Sequence, residues 1–189
     1  MKDKIKKSIT GLSSVLNAVK SGDMVSKIEQ AISMIIKCLE EGGKVITVGN
    51  GGSAADAEHM AAELIGRFKK EREAMASISL TTNTSALTAI ANDISYDIIF
   101  SRQLSGLASS EDILFAISTS GKSACIIEAV KKAKEMGLKV IALTGKGGGE
   151  LAKICDLSMI CPSSDTPRIQ EIHILIIHII CELVEEELS

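Results

Sequence analysis

The sequence predicts an α/β protein. The expected form is a doubly wound, three-layer αβα sandwich around a mostly parallel five-stranded sheet, with N-terminal helices and one long buried C-terminal helix. Short β-branched apolar runs recur and stop at glycine or serine, as strands buried on both faces do. Helical stretches separate most of them, with short connections. Two of the strand ends run into glycine- and hydroxyl-rich loops that open helices, the place where open α/β sheets bind ligands.

Taken in chain order, helical periodicity covers residues 4–19, breaks at "SGD", and resumes over 24–39, where "EGG" supplies terminating glycines. "KVITVG" (44–49) reads as the first buried strand. "AMASISL", "DILFAIS" and "LKVIALTG" read as the next three, and "CDLSMICP" as a weaker fifth. Helices fit 53–68, 85–92 and 123–136, and "TGKGGGELA" fits a helix-capping turn after the fourth strand. "TPRIQE" opens the last helix, with Thr166 suited to the N-cap and Pro167 to the first helical position. Over 169–184 this helix is apolar on nearly every face, so it has to be buried all round. One small sheet cannot surround it. The expectation is a homo-oligomer, with helices of residues 1–42 and partner subunits covering it and residues 44–189 forming the core of a single domain. The "EEE" near the C-terminus reads as a solvated helix end.

Composition narrows the function. At 189 residues and 46% hydrophobic, the chain can build one full core, but with 2% aromatics it has few rings to stack on bases. A net charge of −3 with no long basic run argues against nucleic acid as a partner. The longest apolar stretch, "IHILIIHIICELV", is too short and too polar at its histidines to span a membrane. Cys38, Cys125, Cys155, Cys161 and Cys181 never form a C-x-x-C pair, which suits small core hydrophobes in a reducing cytoplasm.

The segment "GNGGSAADAEHMAAELIGRF" puts His59 and Glu63 four residues apart on one helix face, about 6 Å along the axis. An isolated pair of this kind is ordinarily solvated or ion-paired. Its setting points elsewhere. The strand end "FAISTSGKS" offers hydroxyls from Ser118, Thr119, Ser120 and Ser123, and Gly121 lets backbone amides converge before a helix N-terminus. That combination cradles an anion. Neither this loop nor "GNGGSA" matches the dinucleotide or P-loop fingerprint. Two such loops on one sheet, with "AND" ending the helix after the second strand, favour a sugar-phosphate pocket.

In order and spacing, "GNGGSAADAEHMAAELIGRF", "AND", "ISTSGKS", "LTGKGGGELA" and "RIQEIHILIIH" resemble the SIS (sugar isomerase) fold and, more closely, the bacterial phosphoheptose isomerases. The resemblance implies interconversion of sedoheptulose 7-phosphate and D-glycero-D-manno-heptose 7-phosphate, the first step toward heptose precursors of lipopolysaccharide or capsule. It implies a homotetramer with pockets between subunits and one zinc per subunit. Carried over by position, it assigns His59, Glu63, Gln170 and His178 to the metal, with Glu63 and His178 catalytic. Asn50, Gly51, Gly52, Ser53, Glu63, Asn92, Asp93 and Gln170 would contact the sugar, with Ser118, Thr119, Ser120 and Ser123 on the phosphate and Arg67 near the pocket. A non-catalytic SIS relative that binds a replication-initiation protein shares the style of "TAIAND" and "RIQE". The carboxylate at Glu63 and imidazole at His178 favour the enzyme.

Ketose–aldose isomerisation needs one base that reaches two adjacent carbons and a partner that manages protons on their oxygens. Glu63 suits the first role and the His178 imidazole, which can both give and take a proton, the second. Glu63 cannot be a tight metal ligand and a free base at once. Gln170 and His178 are eight residues apart, about 12 Å along a straight helix. The expectation is therefore that one of them serves a neighbouring pocket, or that a π-bulge brings them together. His173 reads as a packed histidine.

Overall fold

The computed structural model describes all residues, Met1–Ser189. Two helices come first, α1 (Lys2–Ser21) and α2 (Met24–Glu40). There follow β1 (Val45–Val48), α3 (Gly52–Ile65), β2 (Ser77–Ser79) and α4 (Thr84–Asp93). After a 3-10 turn at Tyr96–Ile98 come α5 (Ile99–Leu107), β3 (Ile113–Ser118), α6 (Ala124–Glu135) and β4 (Lys139–Thr144). The chain closes with α7 (Leu151–Ile154), β5 (Leu157–Ile160) and α8 (Thr166–Leu188).

All five strands are parallel, in the order β2-β1-β3-β4-β5. Every residue of β1 and β3 is buried, which is why both read as unbroken apolar runs. Successive side chains feed opposite layers. Val45, Ile113, Phe115, Ile117, Ile141 and Leu143 pack with α1, α2, α3 and α8 in one core. Ile46, Val48, Leu114, Ala116, Val140 and Ala142 pack with α5, α6 and α7 in the other. The strand order reverses between β1 and β3, so the two glycine-hydroxyl loops seen in the sequence leave adjacent strands at the switch point.

Three local expectations are corrected. The helix expected over 53–68 stops at Ile65, because the backbone at Gly66 leaves the helical region (φ −78, ψ −101) and the amides of Phe68, Lys69 and Lys70 turn to the Glu185 carboxylate. Asp165, not Thr166, occupies the N-cap of α8, without a side-chain capping bond. Glu185, read as part of a solvated end, is 1% exposed. Helix α5 was not expected from the sequence. His173 is fully buried, as expected, and its Nε2–H donates to the Thr144 carbonyl at 3.0 Å.

Helix α8 is continuous α-helix, so the π-bulge alternative falls. Its inner residues, from Ile169 to Val184, are buried against α1, α2 and α3. Leu175 and Leu183 stay over a third exposed, so one copy of the chain does not close round this helix. No helix is long and apolar enough to cross a membrane.

Candidate active site

The reactive groups sit where α3 crosses α8. Positions 52, 56, 59 and 63 form one stripe of α3, repeating at helical spacing. At its upper end Gly52 meets Gln170: a Cβ added to Gly52 would lie 2.0 Å from Gln170 Nε2. Two turns further on, His59 Nε2 lies 3.1 Å from Glu63 Oε1 and 3.1 Å from His178 Nε2. The Phe68 ring stands 5.7 Å from the His178 ring, centroid to centroid. Side-chain exposures of 43% for His59 and 23% for Glu63 leave this cluster reachable from solvent.

His59 Nε2 faces the Glu63 carboxylate and the His178 ring nitrogen at once. A neutral imidazole nitrogen either donates or accepts, so it cannot donate to Glu63 while accepting from His178. Three lone-pair donors thus converge with too few protons to satisfy them. Two imidazole nitrogens and a carboxylate oxygen are a donor set that zinc takes. In this arrangement the groups bond to one another, and no three His, Cys, Asp or Glu side chains are set round a common ion. Gln170, two turns away along α8, lies at the Gly52 end of the same contact.

The loops at the switch point are built around backbone. Gly51, at φ +57, turns the chain into α3, and Ser53 is buried in its first turn. The Asn50 amide donates to Cys125 Sγ at 3.0 Å and its oxygen accepts from the Tyr96 hydroxyl at 3.3 Å. In the second loop, Ser118 Oγ accepts from the Gly121 amide at 3.2 Å and lies 3.3 Å from Ser123 Oγ. Ser120 Oγ accepts from the Lys122 amide, and Thr119 is half-buried. Ser123 is the N-cap of α6 and its hydroxyl makes no capping bond, which leaves the first amides of α6 able to meet an anion. Gly121, at φ +62, packs so closely on Gly148 that no Cβ fits.

Asn92 and Asp93, expected round the sugar, lie exposed at the end of α4, with Asn92 donating to Asp93 at 2.8 Å. Arg67 is exposed and paired with Glu71. Two residues were missed. Tyr96, which holds Asn50, follows Asp93 by three residues and carried no motif. Asp56 lies on the α3 stripe between Gly52 and His59, a spacing that could have revealed it. Burial pushes its carboxyl up to about 6 against the opposing influence of His59, and its Oδ2 is buried without a partner.

The sequence profile of the SIS domain matches residues 10–145 of this chain. The chain belongs to the SIS domain family. Within the SIS domain proteins, it is 53% identical to a phosphoheptose isomerase of Campylobacter jejuni over 169 residues, covering 89% of this chain and 91% of that protein. A phosphoheptose isomerase of Helicobacter pylori is 46% identical over 188 residues, covering 100% of this chain and 92% of its own. Among solved SIS domain structures, the phosphoheptose isomerase of Neisseria gonorrhoeae superposes with a TM-score of 0.93 at 41% identity, covering 98% of both chains.

Proposed function

We propose that this chain is a phosphoheptose isomerase, interconverting sedoheptulose 7-phosphate and D-glycero-D-manno-heptose 7-phosphate through an enediol. The observation that carries the reading is the meeting of Glu63 and His178 at His59, on the helix that the Gly51 loop opens. The similarity to phosphoheptose isomerases along nearly the whole chain supports it.

In this reading the Ser118–Ser123 loop and the start of α6 hold the phosphate, while Asn50, Gly51, Gly52, Ser53 and Gln170 line the carbon chain. Glu63 takes a proton from C1 as His178 gives one to the carbonyl oxygen on C2, leaving a neutral enediol. Glu63 then returns its proton to C2 while His178 takes the hydroxyl proton from O1, and the aldehyde forms. A carboxylate fixed on a rigid helix can reach both carbons from one face of the substrate. The donors that suit zinc are His59, Glu63 and His178, with Gln170 completing the set from this or a neighbouring subunit; the ion would supply Lewis-acid polarisation of the carbonyl. While Glu63 is a ligand it is not free to act as base.

The same reading makes the protein a cytoplasmic homotetramer. Ile5, Ile9 and Leu16 form an exposed apolar stripe on α1, and Val25, Ile28, Ile32, Ile36, Ile179 and Leu183 line an apolar groove between α2 and α8. Both are surfaces a second copy would cover. The five free thiols suit a reducing compartment.

The deciding assay offers the purified protein C5, C6 and C7 ketose phosphates. The expected result is turnover of sedoheptulose 7-phosphate, abolished by Glu63→Gln with phosphate binding intact. A Glu63→Gln protein with normal turnover overturns the base assignment, and a wild type inert toward all three overturns the function.

A further inference from the structure

The ends of α3 and α8 are joined by a buried ion pair that no part of the chemistry above uses. Glu185 Oε1 accepts from the Phe68 amide at 2.8 Å and from Arg72 Nε at 3.0 Å. Oε2 accepts from the amides of Lys69 at 2.6 Å and Lys70 at 2.9 Å. Arg72 turns its remaining nitrogens to carbonyls: Nη2 donates to Glu63 O at 2.8 Å, and Nη1 to Leu64 O and Glu73 O, both at 2.9 Å. The two side chains are 1% and 5% exposed. The carbonyls of Glu63 and Leu64 are in the last turn of α3 and have no partner within the helix. A guanidinium there satisfies them and complements the negative end of the helix dipole.

The position of this pair matters more than its strength. Glu185 is two turns beyond His178 on the same face of α8, since seven residues bring a side chain back to within about 20°. Arg72 holds the backbone of Glu63 itself, and Glu185 fixes the amide of Phe68, whose ring packs on His178. Helix faces alone allow α3 and α8 to slide or roll against each other. Four hydrogen bonds to one carboxylate, reaching across 113 to 117 residues of sequence, do not.

We propose that Glu185 and Arg72 are positioning residues of the active site, locking the end of α3 against α8 so that Glu63 and Phe68 stand correctly beside His178. This rests on the isomerase reading for its kinetic arm only. A misplacement near 1 Å at a catalytic group costs up to about a hundredfold in rate.

The test uses the full-length protein in its native assembly, with Glu185→Gln and Arg72→Lys. Lysine keeps the charge, but a single ammonium with three donors cannot reproduce the fork that reaches Glu185 and three carbonyls. As a control, Asp112→Asn breaks another ion pair, Lys44–Asp112 at 2.6 Å, which joins the starts of β1 and β3 and makes no contact with α8. Two readouts are taken below the unfolding range: kcat and KM for sedoheptulose 7-phosphate, and the imidazole resonances of the three histidines. Expected are a kcat loss of about tenfold to a hundredfold with KM little changed, shifted His59 and His178 signals, and an unmoved His173 signal. Asp112→Asn is expected to lower the unfolding midpoint while keeping kcat and all three signals. Wild-type kcat, unmoved His59 and His178 signals in a folded variant, or an equal kcat loss in Asp112→Asn overturns the proposal. Should Glu185→Gln not fold, Arg72→Lys decides it. A wild type without turnover sinks the isomerase reading alone, since the resonances still judge the lock.

Discussion

Acidifying this protein from pH 7 to 4.5 sets two buried groups against each other, and removing either one exposes the other. His173 is fully buried and donates to Thr144 O, with Nδ1 left unpartnered. Burial pulls it down from 6.5 to about 4, against the hydrogen bond to Thr144. A base whose folded value is depressed contributes stability that is fully present above 6.5 and is lost as pH falls through 4. Between pH 7 and 4.5 that loss comes to about 2 kcal/mol. Asp56 acts in the opposite sense. Its carboxyl, raised by burial to about 6 from 3.8, binds a proton in the folded state first, so acidification removes a cost of about 2 kcal/mol over the same window. The wild type is therefore expected to change little from these two groups. His173→Gln keeps an N–H donor for Thr144 but does not titrate, so its stability should rise relative to wild type by about 2 kcal/mol on going to pH 4.5. Urea unfolding of chelator-treated protein at fixed concentration, at pH 7 and 4.5, measures this. Wild type and His173→Gln changing in parallel across the window would refute the reasoning.

Four further outcomes follow from the same geometry. Asp56→Asn should show the reverse trend to His173→Gln, losing stability relative to wild type on acidification, in the same urea series. Gly121→Ala places a Cβ 1.9 Å from the Gly148 carbonyl at a positive φ, so it should cost about 2 kcal/mol or more and lower the melting temperature. Gly52→Ala meets only the flexible end of Gln170, so calorimetry should find stability changed by less than about 1 kcal/mol while KM for the sugar phosphate rises. Leu183→Glu puts a charge into the apolar groove between α2 and α8, and light scattering should report dissociation of the proposed homotetramer.

Much of the fold was legible because its signals are local. Runs such as "VITV" and "ILFAIS" are buried on both faces and need no distant partner to be recognised. Glycines after α2 and β1 mark turns by their own backbone freedom. The turn at Ser118–Ser123 was legible for the same reason: hydroxyls and a glycine before a helix start are recognisable within six residues. The α5 helix escaped notice because its short apolar pattern sits among loops, where helix and turn cannot be separated by period alone.

The pairing of distant groups was decided only by the tertiary structure. The sequence named His59, Glu63 and His178 but could not say that two imidazoles 119 residues apart would touch, or that Gln170 would rest on Gly52 instead. It read Glu185 as a solvated end, because a glutamate near a C-terminus ordinarily belongs in water. Only the folded chain brings three amides and a guanidinium to that carboxylate and holds it down to about 2 despite burial. Periodicity fixes which face a residue occupies; what that face meets depends on how two helices cross, and that is set by packing across the whole core.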